Sequence, residues 1–207
     1  MTEFKDPLHR WNSRFSTSGY LFGEEPNKYL KENCELLSKG RVLCIADGDG
    51  RNSVWLAEQG FDVTAFDFSP VAVQKARELA KKRSVKIDFV CADWRQFEWK
   101  ASYFDSVVGI FFQFIGPPER LELFKLMKQS IKVGGSILIQ GYGLEQLKYK
   151  TGGPDKLDHL YDEDFLKDQF QGYKFLNLKT YTALLNEGSA HSGLSALIGL
   201  TVQKIKD

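Results

Sequence analysis

Three features of the chain predict a doubly wound α/β fold. From Gly40 onward short β-rich runs alternate with helical patterns, a loop with two spaced glycines follows the first run, and the chain closes on two long apolar runs joined by few residues. Alternation of this kind builds parallel strands linked by crossover helices.

The first run, RVLCIA, passes through DGDGRN into the helical NSVWLAEQG, and DVTAFD, PVAVQKARELAKK and VKIDFVCAD continue the pattern. FDSVVGIFFQF reads as a buried fourth strand, PPERLELFKLMKQSIK as an amphipathic helix opened by proline, and GGSILIQGY as a fifth strand. YDEDFLKDQF then reads as a helix. YKFLNLKTYTALL and LSALIGLTVQKI read as strands whose short link, NEGSAHSG, suits only an antiparallel pair. Ahead of Gly40, NKYLKENCELL is helical, and the irregular, aromatic WNSRFSTSGYLFGEEP is placed to fold over a ligand as a lid. The expected organisation is one domain over residues 1–207, with 1–39 as lid segment and helix and 40–207 as a core ending in the hairpin.

Composition narrows the function. Lys and Arg number 28 against 27 Asp and Glu over 207 residues, so no global charge draws the chain to nucleic acid or an anionic membrane. Cys34, Cys44 and Cys91 are an odd set and read as reduced core thiols. The start carries no export-type apolar stretch, and no run approaches the roughly 20 apolar residues of a membrane helix. A soluble cytoplasmic protein is expected.

The glycine loop carries the chemistry. Gly48 and Gly50 stand where a strand's carboxyl end meets a helix start, the ligand position of open α/β sheets. Backbone N–H groups there, together with Asn52 in the first helical turn, can meet an anionic group. DGDGRN lacks both the third glycine of a dinucleotide loop and the GK[ST] of a triphosphate loop. Asp47 and Asp49 would repel a pyrophosphate but suit a ligand bearing an ammonium and a sulfonium. The pattern points to S-adenosyl-L-methionine as cofactor, with S-adenosyl-L-homocysteine as product. Asp67 ends the second strand roughly twenty residues on, where an acid can take both ribose hydroxyls. It can alternatively cap the next helix, although Ser69 before Pro70 fits that role better. Phe68 can pack on the adenine, Asp93 can accept its amino group, and Trp94 can wall the ring.

These three strand ends together resemble the class I S-adenosylmethionine-dependent methyltransferases, from the glycine loop through GGSILI. The front segment WNSRFSTSGYLFGEEPNKYL, ADGDGRNSVWLAEQG, TGGP and HSGLSAL resemble the small bacterial branch related to tellurite-resistance and thiol methyltransferases. The resemblance implies a Rossmann-like seven-stranded sheet of order 3-2-1-4-5-7-6 with strand 7 antiparallel. It places Gly48 and Gly50 beside the methionine moiety, Asp67 at the ribose and Asp93 near adenine. Cys44 and Ala46 depart from the family pattern, which often has an acid and a glycine there.

Methyl transfer from a sulfonium is an in-line displacement, for which positioning and desolvation can suffice. No Ser/His/Asp or Cys/His arrangement, HExxH or cysteine cluster asks for another chemistry, and no metal is expected. Arg14 can pair with the methionine carboxylate and Tyr20 can add a hydrogen bond. Trp11, Phe15 and Phe22 either close the pocket or anchor the segment on the core. Core packing accounts for at least two of Phe111, Phe112 and Phe114. Gln113 needs a partner, either a neighbour's backbone or a ligand. His191 reads either as a proton acceptor for a thiol or as an exposed loop histidine. Tyr142, past the fifth strand, can bond substrate, and TGGPDK can shape the entrance. His9 and His159 lie outside any such pattern.

The expected function is methyl transfer to a small soft acceptor such as a thiol, sulfide or other chalcogen compound. The alternatives are a methyltransferase acting on a macromolecule and a non-catalytic module binding the cofactor or its product. A nicotinamide oxidoreductase is disfavoured by the loop.

Overall fold

The computed structural model describes residues 6–188 and 190–206. Its centre is a seven-stranded sheet of order β3-β2-β1-β4-β5-β7-β6, formed by β1 (Arg41–Ile45), β2 (Asp62–Asp67), β3 (Asp88–Cys91), β4 (Phe104–Ile110), β5 (Ile131–Tyr142), β6 (Tyr173–Glu187) and β7 (His191–Lys204). The first five strands pair in parallel, and β7 runs antiparallel to both β5 and β6. This is the order and direction that the resemblance implied.

Alternation along each strand divides the core. Leu43, Ile45, Val107, Ile137 and Ile139 point to one face, where Leu123, Phe124 and Met127 of α5 (Pro117–Ser130) and Leu166 of α6 (Glu163–Gln169) cover them. Val42, Cys44, Val63, Ala65, Val108 and Leu138 point to the other, under Tyr29 and Leu30 of α2 (Lys28–Asn33) and Leu56 of α3 (Arg51–Glu58). Each fully buried aliphatic or aromatic side chain contributes about 1.5–3 kcal/mol, so two such layers dominate the stability of the sheet.

Helix starts follow local chemistry. Ser69 caps α4 (Pro70–Lys82), its Oγ accepting the Ala72 N–H at 3.1 Å, with Pro70 in the first turn. Asp162 caps α6 and Asn27 caps α2 in the same way. Gly50 starts α3 with φ +93, a conformation that strains any side-chain-bearing residue.

Three local expectations change. Part of the irregular front segment is a helix, α1 (Pro7–Phe15), with Asp6 accepting the His9 N–H at 2.9 Å. At nine residues it is too short to be stable by propensity, and packing of Phe15 and Trp11 on the start of α4 holds it. The hairpin strands run further than the sequence pattern suggested, so Glu187 and His191 are directly paired strand residues. Cys91 is exposed at the end of β3, while Cys44 is buried. Among the described residues no helix is long and apolar enough to cross a membrane.

Candidate active site

The carboxyl ends of β1, β2, β4 and β5 converge on one edge of the sheet, and α1 closes over it. Phe15, 3% exposed, sits on the glycine loop: a Cβ at Gly48 would stand 3.3 Å from its ring. Phe15 stacks on Trp11 at 5.6 Å and meets Phe22 edge-on at 6.2 Å. Lys75 of α4 ties down the following turn by donating to the carbonyls of Thr17 and Gly19, both at 2.6 Å.

Asp67 is 6% exposed and accepts the N–H of Gly48 and of Ser69, each at 2.9 Å and each on a different oxygen. Each carboxylate oxygen has a second acceptor direction, so two hydroxyls remain compatible with these bonds. The Ser53 hydroxyl donates to Asp47, and Asp49 accepts the Leu21 N–H at 2.8 Å with its other oxygen unpartnered. Burial pushes Asp47 up to about 7, against the Ser53 bond and with help from the negative charges of Asp67 and Asp49. Burial likewise pushes Asp67 up to about 6, and Asp49 upward.

Burial raises all three carboxylates, the charge of Asp49 adds to this at Asp47 and Asp67, and together they form an acidic locus. The donor set therefore fits a ligand carrying a sulfonium and an ammonium, the positive groups of S-adenosylmethionine. Ala46, where the wider family often has glycine, adopts φ +48. The left-handed backbone of the loop is thus kept without glycine, at a local cost.

The remaining positions sort themselves by contact. Phe68 is half-buried just beyond Asp67. Asp93 is partly open and accepts the Arg95 N–H at 2.9 Å. Trp94 was expected as an adenine wall. It is 2% exposed and packs in the cluster of Phe66 and Phe97, because the chain turns its indole under the sheet edge. The Asn52 side-chain oxygen accepts the Asn27 N–H at 2.9 Å, which anchors the front segment. Tyr20 packs against Val54, Leu79 and Ala80, with its hydroxyl 3.4 Å from the Lys75 carbonyl. Arg14 lies over the Trp11 ring at 4.6 Å, half-buried, with no ion-pair partner among the described residues.

Gln113 finds backbone partners. Its amide donates to the carbonyls of Tyr142 at 2.9 Å and His159 at 3.1 Å, and its oxygen accepts the Tyr142 N–H at 2.5 Å. Both donor hydrogens are thereby used, which removes the need for a ligand. Phe112 is core and Phe114 is exposed. Phe111, at φ +55, packs half-buried against the smaller cluster of Tyr142, Leu160, Leu185 and Leu197.

There it joins a closely packed aromatic cluster beside the loop. The His191 ring lies 4.4 Å from Phe111, 4.5 Å from Phe22 and 6.1 Å from Tyr142, measured between centroids. His191 is not the exposed loop residue of the alternative reading but is 9% exposed at the start of β7. Burial lowers its pKa; the Glu187 carboxylate opposes this, and the positive charges of Arg51 and Arg14 reinforce it. Tyr142 is 2% exposed, and its hydroxyl has no partner. The TGGP stretch packs on it: a Cβ at Gly153 would lie 2.6 Å from its ring.

Sequence reasoning missed Arg51 and Glu187, which form a buried ion pair at 2.7 Å. A signal existed, because a cation opening a helix opposes the helix dipole and wants a nearby anion. A cavity of about 310 Å³ bordered by Lys125, Lys128, Lys204 and Lys206 opens at the opposite edge of the sheet. There Lys128 and Lys204 donate to the carbonyls of Gln169 and Ile131, far from the glycine loop.

Comparison with known proteins agrees with this fold. Residues 42–135 match the model of a family described as a methyltransferase domain. TehB of Haemophilus influenzae, described as a probable S-adenosyl-L-methionine-dependent methyltransferase, is 24% identical over 69% of this chain and 49% of its own. Its crystal structure superposes with a TM-score of 0.71 at 19% identity, covering 95% of this chain and 66% of that one. A glycine/sarcosine N-methyltransferase of Aphanothece halophytica is 38% identical over 44% of this chain and 31% of its own. A tRNA (uracil(54)-C(5))-methyltransferase of Pyrococcus horikoshii is 30% identical over 81% of this chain and 38% of its own. The chain spans half or less of the length of these curated relatives.

Proposed function

From a chain that carries a class I S-adenosylmethionine-dependent methyltransferase domain resembling TehB, we propose methyl transfer to a small soft nucleophile, a thiol before an amine. The observation that carries this reading is the aromatic cluster beside the glycine loop, which we take as the wall of an acceptor chamber. Phe22, Phe111 and Tyr142 surround a histidine whose pKa is lowered, and the Tyr142 phenol has no partner.

In this reading Asp67 takes the ribose hydroxyls, with Gly48 and Gly50 letting the backbone approach and Phe68 and Asp93 bordering the adenine. The cofactor supplies an electrophilic methyl group and a neutral thioether leaving group. His191 is neutral near neutral pH and takes the acceptor's S–H proton through Nε2 while the sulfur lone pair forms the new S–CH₃ bond. Tyr142 hydrogen-bonds the acceptor, and Phe22 and Phe111 exclude water, which raises the reactivity of a thiolate. Arg14 offers its unpaired guanidinium to a carboxylate at the chamber mouth. The nearly balanced charge of the chain favours a small acceptor over a polyanion, and cytoplasmic location suits reduced thiols.

The test is a calorimetric titration with S-adenosylmethionine, followed by an acceptor panel of thiols, amines and a tRNA transcript read by release of S-adenosylhomocysteine. Turnover with thiols that falls about 10²-fold or more in His191→Ala, with cofactor affinity kept, supports the assignment. Turnover confined to amines or tRNA refutes it.

A further inference from the structure

One carboxylate gathers the hairpin turn, the segment leading into α2 and the start of α3. Glu187 accepts from Arg51 Nη2 at 2.7 Å, from the Asn27 side-chain amide at 3.1 Å and from the Lys28 N–H at 3.3 Å. Its Oε2 also stands 3.7 Å from His191 Nδ1, a charge contact longer than a formed hydrogen bond. Arg51 reaches back through Nη1 to the Phe22 carbonyl at 3.2 Å. On the other side Asp49 holds the Leu21 N–H and Asn52 holds the Asn27 N–H. The hairpin presses on the same strap at Gly188, where a Cβ would lie 2.4 Å from the Leu21 carbonyl oxygen and 2.6 Å from Gly23 N. Residues 21–28 are therefore gripped by the cofactor loop from one side and by the hairpin from the other.

We infer that Glu187 is a positioning residue that holds His191 in the acceptor chamber only while the 21–28 strap is closed, so that strap closure completes the acceptor site. The inference rests on the methyltransferase reading and on His191 as proton acceptor.

The physical case has three parts. A carboxylate beside Nδ1 favours the tautomer with its proton on that nitrogen, which leaves the Nε2 lone pair for the acceptor. The charged and titratable groups facing His191 are Glu187 from β6, Arg51 from α3, Arg14 from α1 and the Tyr142 phenol from β5, and Glu187 is the sole anion among them. Burial alone would raise Glu187, but His191, Arg51 and the Lys28 N–H outweigh it and hold it down to about 2, so the anion persists at working pH. Opening the strap removes the Asn27 and Lys28 donors, frees Arg51 from the Phe22 carbonyl and withdraws the Phe22 ring from the chamber. Glu187 then loses the partners that fix its direction, and His191 loses both its orienting charge and a wall.

The experiment uses the full chain saturated with S-adenosylhomocysteine or S-adenosylmethionine. Glu187→Gln is expected to bind cofactor and to speed amide exchange in 21–28. It should also move the His191 titration midpoint, followed by ring NMR, to lower pH, because the charge that raises it is gone. The kcat with the best thiol falls on the order of 10–100-fold, its acidic limb moves with the histidine, and Glu187→Asp restores part of both. Should Glu187→Gln fail to fold, Asn27→Ser keeps a helix cap for α2 but is too short to reach Glu187. It is expected to loosen 21–28 and lower kcat. A Glu187→Gln protein with the wild-type His191 midpoint and strap exchange overturns the inference, as does an Asn27→Ser protein with a loosened strap and wild-type kcat. Absence of turnover in the wild type sinks the methyltransferase reading instead, and leaves the exchange and titration results to judge Glu187 separately.

Discussion

Arg51 and Glu187 lie 136 residues apart in the chain and 2.7 Å apart in the fold, with side-chain exposures of 5% and 11%. Removing one partner of so buried a pair strands the other charge. Arg51→Ala is expected to cost about 3–5 kcal/mol, read from urea unfolding. Replacing both by apolar residues of similar volume is expected to recover most of that loss; an Arg51→Ala protein as stable as wild type contradicts the burial.

Stability follows pH with two opposing slopes. The folded-state pKa of Asp47, at about 7, and of Asp67, at about 6, lies above the unfolded 3.8. The folded chain therefore binds more protons between these values, and this contribution to stability declines as pH rises from about 4 toward 7. Glu187 works the other way: its folded value of about 2 lies below 4.5, so its contribution is present above 4.5 and lost as pH falls toward 2. The free protein is expected to be most stable in mildly acidic solution, near pH 5, as measured by thermal unfolding across buffers. Maximal stability above pH 8 would contradict the placement of the acids.

Cofactor binding is expected to show the complementary trend. A ligand with a sulfonium and an ammonium favours ionised Asp47 and Asp67, so affinity for S-adenosylmethionine rises from pH 5 to pH 8 and binding releases protons. Calorimetry in buffers of different ionisation enthalpy measures that release directly. S-Adenosylhomocysteine lacks the sulfonium charge and is expected to show a shallower dependence.

Asp67→Ala is expected to weaken cofactor binding by about 1–3 kcal/mol and to lower stability by a similar amount, since two buried N–H groups lose their acceptor. Titration and melting of the same preparation separate the two effects. An unchanged affinity would assign Asp67 to holding the loop alone.

Gln113→Leu strips partners from the backbone of Tyr142 and His159. A loss of about 2–3 kcal/mol of stability is expected, with acceptor KM in the folded protein close to wild type. A large rise in KM at unchanged stability would return Gln113 to direct contact with the acceptor.

Local pattern determined much of this protein. Short β-rich apolar runs such as RVLCIA and GGSILI between helical patterns, the Ser69–Pro70 helix start, and small residues at a strand's end are properties of neighbouring residues, so strands, crossovers and the DGDGRN loop were legible. The acid at the end of the second strand was legible for the same reason. Tertiary structure alone decided which polar groups face each other. Asn52 and Gln113 became bonds to distant backbone, Trp94 went under the sheet edge, and His191 came to rest among Phe22, Phe111 and Tyr142 beside Glu187. Apart from Glu187 with His191, four residues away across the hairpin turn, and Trp94 with nearby Phe97, these partnerships join segments far apart in the chain, and their formation depends on chain closure and burial rather than on any local preference.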